Sequence, residues 1–235
     1  MSMTIITVEE PKQAAQHVLE LLQEQQDEGK LHGFGLATGS TMIPVYETLV
    51  NSEFSFEEVT AFNLDEYVGL EDGNKNSYAF FMQEHLFSKK KFKRTFIPNG
   101  VAENLEEECA TYERRLCEFP VDVQLLGIGE NGHIAFNEPG TSFDSVTHVE
   151  TLTDSTLGVN SAFFGNDEPI PTTALTMGIS SILAAKKIIL IALGERKRFA
   201  LERLLEGTVT VDYPVTALLG HGDVTVITDI KDLNK

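Results

Sequence analysis

Apolar runs that alternate with helical patterns constrain the fold of this chain more than any other feature of its sequence. Ile188–Leu193 is apolar throughout and Val121–Leu126 is rich in Val and Leu, as expected for central parallel strands covered on both faces. Between such runs, stretches such as Glu9–Glu28 repeat apolar residues at helical spacing. The alternation predicts an α/β fold: one doubly wound, mostly parallel sheet with helices on both faces.

The sequence shows no internal repeat and no linker-like stretch, which predicts a single domain spanning residues 1–235. The predicted strands are Met3–Val8, Gly33–Ala37, Val59–Phe62, Thr95–Ile97, Val121–Leu126, Ile188–Leu193 and Val224–Thr228. The predicted helices are Glu9–Glu28, Pro44–Val50, Ser77–Phe87, Leu105–Cys117 and Arg196–Leu205. Thr141–Pro171 lacks clear periodicity, and either a mobile lid over a site or an ordinary surface excursion fits it.

The charge balance and the cysteines narrow the class of protein. With 36 acidic and 18 basic residues the net charge is −18, which disfavours nucleic-acid partners. The sequence shows no signal-peptide pattern and no apolar run long enough to span a membrane. Cys109 and Cys117 lie too far apart on a predicted helix to pair, and reduced thiols suit a cytoplasmic protein. An anionic ligand would therefore need strong local donors.

Ligands of open α/β sheets bind beyond the carboxyl ends of the strands, so the strand ends are the places to look for chemistry. Gly39, Ser40 and Thr41 follow one predicted strand and precede a helix with Pro44 in its first turn. Backbone N–H groups at such a helix start, together with the two hydroxyls, form an anion site. The alternative is that Ser40 or Thr41 merely caps the helix.

Adjacent carboxylates end the next predicted strand. Asp65 and Glu66 follow Val59–Phe62 almost directly, and like charges at a strand end do not favour stability. One of them, with a raised pKa, would serve as a general base. A solvated turn in a very acidic protein is the alternative.

The glycine-rich segment after Val121–Leu126 is the richest in polar groups. Residues 127–132 match G-x-G-x-x-G, but the sequence that follows leaves little room for the helix a dinucleotide site requires. We therefore predict no nucleotide cofactor there. Asn131, His133 and Glu138 instead form a candidate proton-transfer group. Their spacing matches no zinc signature and no cysteine is near, so no metal is expected.

Basic residues begin the last predicted helix, where they oppose the helix dipole. A phosphate held jointly by Lys197 and the Ser40/Thr41 turn would relieve this conflict. The alternative is that these basic residues simply pair with Glu195 and Glu202.

Taken together, five segments resemble the glucosamine-6-phosphate deaminase family. They are ATGSTMIPVYETL, FNLDEYVGL, NSYAFFMQEHLF, LLGIGENGHIAFNEPG and TALTMGISSIL, within about residues 33–206. The resemblance implies a modified Rossmann-like sheet and a small-molecule sugar-phosphate substrate. It also implies conversion of glucosamine 6-phosphate and water to fructose 6-phosphate and ammonia, without metal or cofactor.

The resemblance also implies roles for individual residues. By this resemblance, Asp65 is the base of the enolisation step, His133 is the histidine that opens the ring, and Glu138 is the carboxylate that orients His133. Asn131 stands at a ring-opening position that is Asp in some relatives. The positions that bind the substrate phosphate are Gly39, Ser40, Thr41 and Lys197.

Two departures from the family pattern lead to further expectations. Ala162 stands where well-known relatives have a phosphate-binding Arg, so that contact is missing. His148 and Glu150 stand where hexameric relatives bind an N-acetylated activator with basic residues. We therefore expect no activation by N-acetylglucosamine 6-phosphate, and a monomer or small homo-oligomer. The rival functions are a 6-phosphogluconolactonase-like hydrolase, a non-catalytic sugar-phosphate sensor and, on the glycine match alone, an NAD-dependent dehydrogenase.

Overall fold

The computed structural model describes residues 3–161, 164 and 169–233, which form two sheets and their covering helices. The strands are β1 (Met3–Thr7), β2 (Gly33–Leu36), β3 (Phe56–Asn63), β4 (Asp65–Tyr67), β5 (Phe92–Phe96), β6 (Val123–Gly127), β7 (His148–Thr151), β8 (Thr173–Thr176), β9 (Lys187–Ala192) and β10 (Val224–Thr228). The α-helices are α1 (Pro11–Asp27), α2 (Ile43–Asn51), α3 (Tyr78–Met82), α4 (Leu105–Glu118), α5 (Asp154–Asn160), α6 (Ile179–Leu183) and α7 (Arg198–Leu205).

The main sheet has seven strands in the order β1-β10-β9-β6-β2-β3-β5. Every neighbouring pair in it runs parallel. Five residues of β9 and all of β10 are buried, because helices cover the sheet on both faces. The predicted doubly wound parallel sheet is confirmed. No helix in the described part of the chain is long and apolar enough to cross a bilayer.

The winding of the main sheet fixes where a ligand can bind. From β2 the chain proceeds through β3 to β5, whereas from β6 it proceeds through β9 to β10 on the other side. Right-handed crossovers therefore place α1 and α2, which pack together, on one face and α4, α6 and α7 on the other. The two windings meet between the neighbouring strands β2 and β6. This is the topological switch point, where open α/β sheets bind their ligands.

A second sheet, which the sequence analysis did not predict, has three antiparallel strands in the order β4-β8-β7. It branches from the main sheet immediately after β3, and Tyr67 of β4 joins a small separate core with Phe136, Leu152 and Ala174. β7 and α5 lie within Thr141–Pro171, so this segment, whose sequence lacks clear periodicity, contains regular structure that the sequence analysis did not predict.

Two predicted helices are built differently from the expectation. Ser77–Phe87 comprises α3 followed by a π-helical turn, Gln83–Phe87. Arg196–Leu205 begins with a 3-10 turn, Glu195–Lys197, and becomes α-helical only at Arg198. Both differences concern helix ends, where the hydrogen-bonding pattern commonly tightens or widens.

Candidate active site

A cleft of about 460 Å³ opens at the switch point between β2 and β6. Its walls come from the turn after β2, the start of β4, the loop after β6, the 3-10 turn after β9 and helix α5. The predicted site residues that line it are Gly39, Ser40, Thr41, Asp65, Asn131, His133 and Lys197. The remaining predicted residue, Glu138, is buried beside His133. One cavity thus brings together side chains from segments far apart in sequence.

Asp65 and Glu66 are neighbours in sequence but have different environments. Both belong to β4 and are buried, so the alternative of a solvated turn is wrong. Side chains alternate along a strand, and only Asp65 lines the cleft. Burial, and then the negative charge of Glu66, raise the pKa of Asp65 well above its ordinary value. The Asp65 carboxyl therefore has a strong tendency to hold a proton.

Glu66 connects β4 to the start of α3. Its carboxylate accepts hydrogen bonds from the backbone N–H groups of Tyr67, Tyr78 and Ala79 at 2.8–3.0 Å. Burial raises the pKa of Glu66 to about 7, against the lowering effect of these donors. Glu66 therefore has a structural role, because its hydrogen bonds hold in place α3, the helix that carries Tyr78 into the cleft wall.

Glycine in the loop after β6 allows the imidazole of His133 to pack against the backbone. A Cβ on Gly129 would overlap the His133 ring. No helix begins between β6 and β7, so this segment lacks the helix that a dinucleotide site requires. The glycines therefore serve close approach between loop and side chain.

His133, Glu138 and Asn131 form a connected group at one end of the cleft. His133 Nδ1 lies 3.7 Å from Glu138 Oε2. Asn131 Nδ2 donates to the same carboxylate oxygen at 2.9 Å, and Asn131 Oδ1 accepts from the backbone N–H of His133 at 3.2 Å. Asn131 therefore links the backbone of His133 to the carboxylate of Glu138. This link needs both the N–H donor and the oxygen acceptor of an amide side chain.

Glu138 is held in its charged form. Burial alone would raise its pKa, but the favourable interactions of the carboxylate with His133, Thr156 and Asn131 prevail and lower the pKa of Glu138 to about 2. A buried, ionised carboxylate beside Nδ1 favours the tautomer that carries the proton on Nδ1. In that tautomer Nε2 is the free acceptor of the ring.

The turn after β2 and the turn after β9 have similar geometry on neighbouring walls of the cleft. Gly39 and Gly194 both adopt positive φ, 102° and 88°, and each precedes a 3-10 turn that leads into a helix. Neither Ser40 nor Thr41 caps the 3-10 turn or α2 through its side chain, so the capping alternative is wrong. Both hydroxyls remain available to an anion.

Lys197 differs from the basic residue next to it. Arg198 pairs with Glu195 and Glu202, whereas Lys197 lines the cleft and has no ion pair within the described chain. Burial lowers the pKa of Lys197. The alternative of simple pairing with Glu195 and Glu202 therefore holds for Arg198 and not for Lys197. Ala162, where the family arginine is missing, lies outside the described residues.

Two parts of the cleft were missed by the sequence analysis. Tyr67 and Tyr78 form an aromatic wall, with their hydroxyl oxygens 3.4 Å apart. Thr153 and Thr156 begin α5 beside Glu138. Thr153 is the N-cap of α5 and Thr is a preferred N-cap residue, but Thr141–Pro171 shows no apolar period that would mark the helix itself.

His148 and Glu150 lie outside this cleft, on β7, and interact with each other. His148 Nε2 lies 3.2 Å from Glu150 Oε2, and this hydrogen bond raises the pKa of His148. Glu150 also accepts a hydrogen bond from the hydroxyl of Thr141 at 3.3 Å. These contacts do not test the expected lack of activation by N-acetylglucosamine 6-phosphate, which stays a prediction.

Residues 9–227 match the family model for glucosamine-6-phosphate isomerases/6-phosphogluconolactonase. The chain belongs to this family. The glucosamine-6-phosphate deaminase of Listeria monocytogenes serotype 4a is 51% identical over 227 residues, covering 97% of both chains. The one from Lactobacillus delbrueckii subsp. bulgaricus is 48% identical over the same length and coverage. The resemblance inferred from the motifs is confirmed.

Solved structures in the isomerase/lactonase family share the architecture. That of a monomeric glucosamine-6-phosphate deaminase has a TM-score of 0.91 and 40% identity, covering 96% of both chains. That of 6-phosphogluconolactonase from Leishmania guyanensis has a TM-score of 0.80 over the full length of both chains, at 17% identity. The second likeness concerns the fold alone.

Proposed function

We propose that the chain converts glucosamine 6-phosphate and water to fructose 6-phosphate and ammonia. The observation that carries the proposal is that Asp65, at the start of β4, and His133, in the loop after β6, line one cleft. The size of the cleft, about 460 Å³, suits a small molecule such as a hexose phosphate. Full-length relatives at 48–51% identity that carry the deaminase name support the same activity.

Ring opening is the task of the His133 group. Its Nε2 takes the proton of the C1 hydroxyl and returns one to the ring oxygen, so that the pyranose opens to the aldehyde. Glu138 stabilises the imidazolium formed in this step, and Asn131 holds the two side chains in register. General acid–base groups positioned in this way contribute about 10²–10⁴-fold in rate.

Isomerisation is the task of Asp65. Its carboxylate removes the C2 proton of the open aldehyde, the electron pair forms the C1–C2 double bond, and the carbonyl oxygen takes a proton from the substrate ammonium to give a neutral enolamine. Return of the proton to C1 leaves an iminium at C2, which adds water and expels ammonia. The raised pKa of Asp65 makes its carboxylate a stronger base, and the ammonium of the substrate favours the ionised carboxylate when bound.

The substrate phosphate binds between the Gly39–Ser40–Thr41 turn and Lys197. Two hydroxyls, backbone N–H groups and a half-buried ammonium are the local donors that an anion needs in a chain of net charge −18. All steps use groups of the protein and the substrate, so the proposed reaction requires no metal and no organic cofactor.

The proposal is tested by ammonia release from glucosamine 6-phosphate. Wild type should produce fructose 6-phosphate and ammonia in equal amounts, and Asp65→Asn should bind the substrate with little turnover. Hydrolysis of 6-phosphogluconolactone without ammonia release would favour the lactonase. Binding of glucosamine 6-phosphate without turnover by wild type would favour the sensor.

We further infer a single domain over residues 1–235, with a lid within residues 141–171 to which α5 belongs, and a monomer or small homo-oligomer located in the cytoplasm. The likeness to a structure of a monomeric deaminase supports the small assembly. Light scattering coupled to size exclusion gives the mass in solution. Cooperative activation by N-acetylglucosamine 6-phosphate would contradict the expected lack of regulation.

A further inference from the structure

Thr156 is the buried residue of α5, with 3% of its surface exposed. Its hydroxyl oxygen lies 3.4 Å from His133 Nδ1. The nearest carboxylate oxygen, Glu138 Oε2, is farther from the same nitrogen, at 3.7 Å. The closer acceptor for an Nδ1 proton is therefore a hydroxyl that belongs to another segment of the chain.

The first turn of α5 also contacts Glu138 directly. The backbone N–H of Thr153 donates to Glu138 Oε1 at 3.2 Å. The Thr153 side chain caps α5 by accepting from the backbone N–H of Thr156, and its hydroxyl donates to the Thr156 hydroxyl at 3.3 Å. Carboxylate, cap and buried hydroxyl thus form one cluster.

The number of hydrogen bonds that the Thr156 hydroxyl can donate and accept determines which of its partners are donors and which are acceptors. A hydroxyl has one proton to donate and accepts two hydrogen bonds. Thr153 donates one of these, and an Nδ1 proton of His133 is the other. The hydroxyl proton of Thr156 is then left for Glu138, and Thr156 is one of the side chains that favour the ionised form of this carboxylate.

We propose that Thr156 is a positioning residue for His133. Its hydroxyl accepts the Nδ1 proton of the imidazole and donates its own proton to Glu138, which completes an imidazole–hydroxyl–carboxylate relay. The relay fixes the tautomer in which Nε2 is free to take the hydroxyl proton of the substrate. This inference rests on the proposed function and adds a residue to its ring-opening step.

The proposal joins ring opening to the position of α5. Ser155 and Val159 of the same helix line the cleft, while Thr156 contacts the catalytic histidine. A single helix therefore covers the substrate and completes the relay.

The kinetic test compares Thr156→Val, which removes the hydroxyl at nearly constant volume, with Thr156→Ser, which retains it. We expect Thr156→Val to lower kcat by about tenfold or more, as part of the contribution of a positioned acid–base group, with KM changed less than threefold. Thr156→Ser should restore most of kcat. Thr151→Val, the same change on an exposed residue of β7, is the matched control and should equal wild type.

A second measurement requires no turnover. In protein labelled with ¹⁵N-histidine, the ring nitrogen shifts report the tautomer of His133, whose signals are assigned by their loss in His133→Asn. Wild type and Thr156→Ser should show the Nδ1-protonated form, and Thr156→Val a mixture. Circular dichroism verifies folding, and Thr156→Ala replaces Thr156→Val if the latter does not fold.

The two measurements distinguish the possible failures. A hydroxyl-free variant with wild-type kcat and wild-type tautomer would overturn the role of Thr156. Loss of kcat with an unchanged tautomer would overturn it as well, because a structural role alone then explains the loss. Absence of ammonia release by wild type would instead refute the proposed function, while the tautomer measurement could still be made.

Discussion

At the scale of the residue, Asp65 has a carboxylate in a place that disfavours its charge. Its pKa is raised, first by burial, so the folded state binds a proton more strongly than the unfolded chain does. Stability is then lost as pH rises from the ordinary value of 3.8 towards the raised pKa. A carboxylate at this buried position is therefore not explained by a contribution to folding.

We therefore predict that Asp65→Asn is more stable than wild type at pH 7, although its turnover is lost. The amide cannot ionise, so the difference should shrink as the pH falls towards 4. Thermal melts across this range measure it. Tm rises about 2–4 °C per kcal/mol in a domain of this size. Equal stability of the two proteins at pH 7 would contradict the argument.

Glu138 has the opposite dependence on pH. Its pKa is lowered to about 2 from 4.5, which corresponds to roughly 3 kcal/mol of stability. This contribution is complete above about pH 5 and is lost as pH falls from 4.5 towards 2. We predict that Glu138→Gln is less stable than wild type at pH 7 and that the difference closes in acid. Urea titrations at several pH values test this, and a constant difference would refute it.

At the scale of the element, the end of β6 and the loop that follows it offer two glycines with different surroundings. A Cβ on Gly129 would overlap the ring of His133, whereas a Cβ on Gly127 would meet only Met42 Cε at 3.6 Å, an ordinary contact. We predict that Gly129→Ala lowers kcat by at least about 10², the low end of what a positioned acid–base group contributes.

Gly127→Ala is the matched control for this loop and should stay within a few-fold of wild-type kcat. Circular dichroism of both variants separates loss of the fold from displacement of the imidazole. Similar activity in the two variants would show that close packing of the loop on His133 is not required.

The elements also show what the sequence could reveal. β9 and β10 were predictable because central parallel strands are apolar on both faces, and the bounds of β10 agree residue for residue with the prediction. β4, β7 and β8 are only three or four residues long. Their pairing joins segments distant in sequence, for example Asp65 with Thr176, so no local period marks them.

The residues of the candidate site also divide into those that the sequence could predict and those that it could not. Asp65, His133 and Lys197 were predictable because the carboxyl ends of parallel strands share one edge of a sheet. Thr156 was not, because its role depends on a contact across 23 residues with a loop of another strand. The inner side of α5 is polar where it meets that loop, so the apolar spacing that reveals most helices is weak there.

At the scale of the whole molecule, the net negative charge repels an anionic substrate, whereas the ammonium of Lys197 in the cleft attracts it. Lys197→Ala and Arg198→Ala each remove one positive charge from a chain of net charge −18, so they alter the general field equally. Of these two residues, Lys197 lines the cleft and Arg198 does not. Because a hydrogen bond to a charged group contributes about 1.5–3 kcal/mol, Lys197→Ala should raise KM for glucosamine 6-phosphate about tenfold or more.

Arg198→Ala should leave KM near the wild-type value. Steady-state kinetics of both variants at one ionic strength measure the difference. An equal increase in the two would mean that the general field, and not the ammonium in the cleft, governs binding of the anion.

The position of β1 has a consequence for how the molecule folds. β1 lies at the edge of the main sheet and pairs along its length with β10, with Met3 opposite Val224 and Thr7 opposite Thr228. During synthesis, β1 leaves the ribosome before the other strands of the main sheet and must wait for β10 before it gains a partner. With parallel pairing throughout, the sheet contains no hairpin that could nucleate early, so its completion is a late and slow event.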